Sequence, residues 1–449
     1  MPRSEGARSG GAREHQYRGG NDIVAAELHK LGGEGMTTEQ WFVGVDWATE
    51  QHQVCVLAGD GKVVGEREVA HSGDGIADLC TWLNELSGGH LASVHAAIEM
   101  PHGAVVEMLL EREVQVYAIN PKQLDRFRDR FTAAGAKDDR RDARVLADSL
   151  RTDRRSFRHL QVEEPNVIEL REWSRMREEM KQDRNRLTNR LREQLRRYYP
   201  QMLELGGDLG AAWFLELWEK APTPAEAARI RKASIAAILK RNRIRRLDAA
   251  GVLHILRQPP LRVSRGTTAA AKAHIESLIT RLRPVNQLID QAHARLDELI
   301  AEMVGTDDSA ETEEQRDASI LLSMPGIGRI VLATLLAEAI QALAARDYHT
   351  LRILTGVAPV TRRSGKSRVV MMRRACNKRL RDAMYHWARV AIQHDAASRE
   401  RYGELRGRGQ RHGRALRTVS ERLLRVACAM LRDRTPYDPE HRVGRTPAA

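Results

Sequence analysis

The chain has 449 residues, with 73 lysines and arginines against 60 aspartates and glutamates, a formal charge of +13. At about 100–200 residues per domain, this length excludes a single small module and predicts several domains with cores of their own. The basic surplus points to nucleic acid, or less often an anionic membrane surface, and only 11 of the 73 cations are lysine, so arginine, whose planar fork grips phosphate, carries the charge.

Residues 1–38 are rich in Gly, Arg and Ser without apolar periodicity and read as a disordered leader, with Met36 as a second candidate start. The leader has no apolar h-region, and no run of about 18 apolar residues occurs anywhere in the chain. A cytoplasmic protein with no membrane partner is expected. From Trp41 the pattern turns to short alternating runs, WFVGVDWA, HQVCVLA and KVVGEREVA, with Asp60-Gly61 as a hairpin signal between the last two. There follow a helical stretch (GIADLCTWLNEL), an apolar run ending in acid (SVHAAIEM), a second helix (GAVVEMLLERE) and a further strand (VQVYAINP). Three strands, then helix, strand, helix, strand is the order of an α/β RNase H-like domain, assigned to 39–155, although other α/β folds share pieces of it.

Residues 156–315 read as long, highly charged helices. ELREWSRMREEMKQDRNRLTNRLREQLRRYYPQM mixes apolar residues at three-four spacing with charges of both signs, and IESLITRLRPVNQLIDQAHARLDELIAEMV has a heptad-like stripe interrupted at Pro284. The preferred reading is a coiled coil that joins protomers; the other is a helical hairpin within one chain. A mainly α domain is expected over 316–435. It opens with LLSMPGIGRIVLATLLAEAI, whose Pro325-Gly326-Ile327-Gly328 resembles a helix-hairpin-helix turn or, as readily, a plain connection. Residues 436–449 read as a disordered tail. The four cysteines, Cys55, Cys80, Cys376 and Cys428, form no CxxC pair, so neither a disulfide framework nor a zinc knuckle is expected.

Four carboxylates stand out. Asp46 sits in the first apolar strand, and Glu99 closes the apolar run VHAAI. A charge in either place is costly unless paired or bound to metal. Asp139 and Asp142 open a helix three residues apart, on one face. In an RNase H-like sheet the strands of Asp46 and Glu99 are neighbours, so all four acids would converge. All-oxygen ligation suits Mg²⁺ or Mn²⁺, and the chemistry implied is metal-assisted phosphodiester cleavage. The plainer readings are a strand-ending turn and a helix N-cap at Asp138/Asp139, where Asp138 also competes with Asp139 as a ligand.

Arg362, Arg363, Lys366, Arg368, Arg373, Arg374, Lys378, Arg379 and Arg381 crowd twenty residues that contain no acid, which favours an anionic ligand. Ser364 lies inside this field, placed to attack a phosphodiester among cations, with Ser367 as a rival. Gly365-Lys366-Ser367 is not a P-loop, because Val360 stands where the Walker pattern needs glycine. Nucleotide hydrolysis is therefore not expected.

GVDWA, IEM, NPKQL and KDDRRDARVLAD, followed far downstream by MPGIG, LTGVAPVTRRSGKS and NKRLRDAMYHWA, together resemble the insertion-sequence-110 family of DEDD transposases, a group that includes the Piv-type DNA invertases. The resemblance covers about residues 41–150 and 318–435. It implies a RuvC-like domain in which Asp46, Glu99, Asp139 and Asp142 match the DEDD metal ligands, and a C-terminal domain in which Ser364 matches a nucleophile. It further implies DNA joined through a serine linkage, and a structured RNA from the element that pairs with target and donor DNA. Dimers would assemble into a four-chain synapse. Two other functions stay open: a RuvC-like nuclease that hydrolyses branched DNA with water, and a non-catalytic nucleic-acid-binding protein.

Overall fold

A computed structural model describes residues 39–130, 138–304, 313–365 and 367–439. The expected leader, Lys366 and residues 440–449 of the expected tail lie outside them. The chain divides into two compact units, Met1–Val162 and Glu163–Ala449.

The first unit is built on a sheet of β1 (Trp41–Asp46), β2 (Gln51–Leu57), β3 (Val63–Ala70), β4 (Val94–Ile98), β5 (Gln115–Ala118) and β6 (Arg158–His159), in the order β3-β2-β1-β4-β5-β6. β1 pairs antiparallel with β2 and parallel with β4, and β4 pairs parallel with β5. Side chains alternate across the sheet with period two. Trp41, Val43 and Val45 pack with Val94, Ala96 and Ile98 under α1 (Gly73–Leu86) and α2 (Ala104–Glu111). Phe42 and Ala97 face the opposite core, shared with Leu124 of α3 (Pro121–Arg128) and with Ala143, Leu146, Ala147 and Leu150 of α4 (Asp139–Asp153). Helices on both faces of a 3-2-1-4-5 sheet give the RNase H-like architecture expected from the element order. The unit extends past the expected boundary at 155, because Phe157 and Leu160 are buried in its cores and Arg158–His159 pairs with β5. A two-residue strand is too short to leave a periodic signal.

Among the described residues the second unit is helical apart from one hairpin. Its frame is α5 (Pro165–Tyr198) and α11 (Arg265–Val304), joined by α6 (Gln201–Glu204), α7 (Ala212–Lys220), α8 (Pro224–Ala227), α9 (Lys232–Arg241) and α10 (Ala249–Leu256). α5 and α11 run antiparallel within the chain: Glu169 accepts from Arg295 at 2.7 and 2.9 Å, Arg177 Nε donates to His293 at 2.7 Å, and Arg184 Nε donates to Asn286 at 2.7 Å. The apolar stripe expected to join protomers is thus used internally, and Leu278, Leu282, Leu296 and Leu299 are fully buried. Pro284 does not interrupt α11. It is exposed, so the carbonyl it leaves without a helical partner can turn to solvent, while Leu282 and Ile279 anchor the helix beside it.

The far ends of α5 and α11 share a core with the short helices, and their near ends share one with the C-terminal helices. The latter are α12 (Glu313–Leu322), α13 (Arg329–Ala344), α14 (Tyr348–Leu354), α15 (Lys378–His394), α16 (Ala396–Gly407) and α17 (His412–Asp433). The Pro325-Gly326 turn between α12 and α13 backs onto α15, where Trp387 Nε1 donates to Pro325 O at 3.1 Å. Tyr437, assigned to the disordered tail, instead packs on this core and donates through its backbone N–H to Ser323 Oγ at 2.7 Å and through its hydroxyl to Asp395 at 3.1 Å. The ring packs its apolar body on the core while its hydroxyl keeps a polar partner. No helix of the described residues is long and apolar enough to cross a membrane.

Candidate active site

The acids of the first unit gather at one end of its sheet. Val45 and Ile98 are register partners of the parallel β1 and β4, so Asp46 and Glu99 emerge one step further along, side by side. Alternation puts both on the face covered by α4, because Phe42, Gly44 and Asp46 share one side of β1. Gly44 lets α4 lie directly on the strand: a Cβ there would stand 1.8 Å from Ala143 O and 2.7 Å from Ala147 N. That close approach brings the first turn of α4, with Asp139 and Asp142, over the end of β1. Asp138 is the N-cap, its carboxylate accepting from Arg140 N at 3.2 Å. Asp139 is exposed and, with Asp138, Gln53 and Arg140, lines an open cleft of about 380 Å³. Gln53 is the register partner of Asp46, which puts the cleft beside that acid.

Asp142 is buried, its side chain only 3% exposed, and it is held by a residue that sequence reasoning did not single out. Arg128, the last residue of α3, donates from Nε to Oδ1 at 2.7 Å and from Nη2 to Oδ2 at 2.8 Å. Its Nη2 also stands 3.7 Å from Glu99 Oε1, and its Nη1 donates to Asp125 at 2.8 Å. Burial opposes the charge on Arg128, but its hydrogen bonds to Asp142 and the charges of Asp142 and Glu99 outweigh it and hold the guanidinium above its ordinary pKa. Among the described residues no three carboxylate, His or Cys side chains stand close enough to share one metal ion. The turn after Asp46 is braced by a second unforeseen group. Ala48 N donates to His52 Nδ1 at 3.2 Å, so His52 keeps its proton on Nε2 and donates to His71 Nδ1 at 2.9 Å.

In the second unit Ser364 ends β7 (Val360–Ser364), which pairs with β8 (Ser367–Met371) as a two-stranded antiparallel hairpin. Ser364 and Ser367 are register partners, and Gly365, next after Ser364, takes a φ of +53°. The hairpin is almost wholly exposed, including Val369, Val370 and Met371. Arg363 stands directly opposite Arg368, and Arg362 shares the face of Ser364. Other members of the basic run have partners in the chain. Arg373 Nε donates to Ala358 O at 3.4 Å, Arg379 lies 3.7 Å from Glu338, and Arg381 pairs with Asp382 at 3.4 Å. Asn377 explains the start of α15: its Oδ1 accepts from Arg379 N and Leu380 N at 2.9 and 3.2 Å, while its Nδ2 donates to Glu338 at 2.7 Å.

Comparison with known proteins follows the same two segments. A DEDD-type transposase model of the IS110 group matches residues 43–200, and a model described as transposase of the IS116/IS110/IS902 family matches residues 318–403. "Mini-circle putative transposase for IS117" of Streptomyces coelicolor is 30% identical over 418 residues, covering 89% of this chain and 95% of that protein. The chain belongs to the IS110 family of transposases. "Putative transposase y4uE" of Sinorhizobium fredii is 59% identical over 219 residues, 48% of this chain and 61% of that protein. An "Insertion element IS116 uncharacterized 44.8 kDa protein" of Streptomyces clavuligerus is 29% identical across 90% of this chain. As an insertion-sequence transposase the protein is an enzyme that cuts and rejoins DNA. The first family match contains Asp46, Glu99, Arg128, Asp139 and Asp142, and the second contains Ser364 and the basic run. Nothing in the local pattern of LDRFRDR separates Arg128 from its neighbours Arg126 and Arg130. His52 carries only the weak signal of a polar ring at a position that alternation turns inward.

Proposed function

We propose that this IS110-family transposase joins DNA through a serine–phosphodiester intermediate, with Ser364 as nucleophile and Asp46, Glu99, Asp139 and Asp142 as ligands of Mg²⁺ or Mn²⁺. The observation that carries the reading is the exposed hairpin tip: Ser364 with Arg362 on its own face, and the like charges of Arg363 and Arg368 set opposite each other on the other face. Facing like charges destabilise a hairpin, and a bound phosphate relieves the repulsion. In the step itself Ser364 Oγ loses its proton and bonds to phosphorus, the P–O bond to the leaving deoxyribose oxygen breaks, and that oxygen takes up a proton. Attack by another strand's hydroxyl reverses the exchange, so rejoining needs no nucleotide hydrolysis.

The acids fit a divalent ion by their chemistry. All are carboxylates, and a cation, the Arg128 guanidinium, already stands between Glu99 and Asp142. A bound ion supplies Lewis-acid stabilisation of charge on the phosphate. The exposed cations Arg362, Arg363, Arg368, Arg374 and Lys378 contact nucleic-acid phosphates, as does Lys366 of the same basic run, supported by Arg373, Arg379 and Arg381. An element-encoded structured RNA supplies sequence specificity, and dimers pairing into a tetramer hold the several strands to be exchanged.

The test is incubation of purified protein with Mg²⁺, labelled element-end DNA and RNA transcribed from the element flank. A covalent protein–DNA adduct is expected with wild type and with Ser367→Ala, and none with Ser364→Ala. Asp46→Ala and Glu99→Ala should abolish the adduct while retaining nucleic-acid binding. An adduct that survives Ser364→Ala overturns the serine assignment, and free nicked product without adduct favours hydrolysis by water.

A further inference from the structure

Both oxygens of Asp142 are taken by one side chain. Arg128 grips them with the side-on fork of its guanidinium at 2.7 and 2.8 Å, its Nη2 reaches towards Glu99 at 3.7 Å, and its Nη1 is fixed by Asp125 on its own helix at 2.8 Å. The contact links the end of α3 to the first turn of α4, fourteen residues apart, and it is sheltered, with Arg128 28% and Asp142 3% exposed. A charge-assisted bidentate pair of this kind is among the stronger polar contacts in a protein. A divalent ion coordinates a carboxylate oxygen at about 2.0–2.2 Å. An ion on Asp142 therefore needs an oxygen that Arg128 holds, and it would also stand against the positive charge of the guanidinium.

We propose that Arg128 is a built-in competitor for the metal: it occupies the cation position between Glu99 and Asp142, and divalent ion binds only when the guanidinium leaves Asp142. The inference rests on the reading of the four acids as a metal site and goes beyond it by assigning the residue that controls loading. It accounts for two observations together. The acids stand at one end of the sheet, yet no three of them are gathered about a point among the described residues. The charge of Asp142, deeply buried, is compensated by the guanidinium, which a bare carboxylate there would not be.

Competition and support make opposite predictions. If Arg128 merely positioned Asp142 for the ion, its loss would weaken binding; as a competitor, its loss strengthens binding. Mn²⁺ affinity of the full-length protein, measured without nucleic acid by the EPR signal of free Mn²⁺ and by calorimetry, should rise about tenfold in Arg128→Ala. Arg128→Gln, which keeps donors but drops the charge, should also bind more tightly than wild type and serves as the reading if the alanine variant melts early in circular dichroism. The gain should vanish in the double variant Arg128→Gln with Asp142→Asn. Unchanged or weaker Mn²⁺ binding in both single variants overturns the competitor role and leaves the metal site standing. Absence of Mn²⁺ binding by wild type and every folded variant up to millimolar concentration instead overturns the metal reading, and this proposal with it.

Discussion

Gly44 shows how one missing Cβ positions a site. The strand motif GVDWA places Gly44 two residues before Asp46, on the same face, and α4 fills the space a side chain would occupy. Asp142 neighbours Ala143, whose carbonyl makes the closest approach, so the depth of α4 on β1 sets how near Asp142 comes to the strand-end acids. Gly44→Ala should push α4 outward and destabilise the first unit by at least about 1–3 kcal/mol, the usual cost of forcing atoms into a packed contact. Urea unfolding followed by the fluorescence of Trp41, Trp47 and Trp82 measures this, and an unchanged midpoint would show that α4 is not seated through Gly44. The same residue scale explains what was legible beforehand. Asp46 and Glu99 declared themselves because a carboxylate closing an apolar alternating run has no cheap place to go. Arg128 did not, since its role depends on a partner in another helix and its own neighbourhood is rich in arginine.

At the scale of elements, the β7–β8 hairpin departs most from expectation within a domain read as mainly α. A short exposed two-stranded ribbon is marginal by itself, and its alternation is masked by the run of charges along it. Pairing puts Arg363 against Arg368, which only the register reveals. Arg363→Ala and Arg368→Ala should each weaken nucleic-acid binding across sequences and lower the salt-dependence slope by about 1, without loss of thermal stability. Filter binding across a salt series tests this; an unaltered slope would remove these two arginines from the phosphate contacts. α5 and α11 carry the second element-scale lesson. Their stripe was legible, but a heptad-like stripe fits a partner from the same chain or from another, and here the buried leucines are covered from within.

For the whole molecule, pH stability follows from buried histidines of the first unit. Burial, then the charge of His71, lowers the pKa of His52, and burial, then Arg154 and His159, lowers that of His95 to about 4. The unfolded chain takes up protons near the ordinary value of 6.5 that the folded chain refuses. Stability contributed by these rings is therefore complete above about pH 6.5 and is lost as pH falls towards 4. His95→Gln should flatten that decline in thermal melts across the window, and a decline as steep as wild type would locate its cause elsewhere.

By itself the sequence determined the order of elements, the acids at the strand ends and on the α4 face, the basic run around Ser364 and the family resemblance that comparison with known proteins bears out. These are local: periodicity, composition and spacing state which face a residue takes and where charge collects. Only the tertiary structure decided that Arg128 holds Asp142, that Arg363 meets Arg368, and that the long helices pair with each other. Each of those is a choice between partners that look equivalent along the chain, and it is made by which surfaces the packed cores bring within a few ångströms.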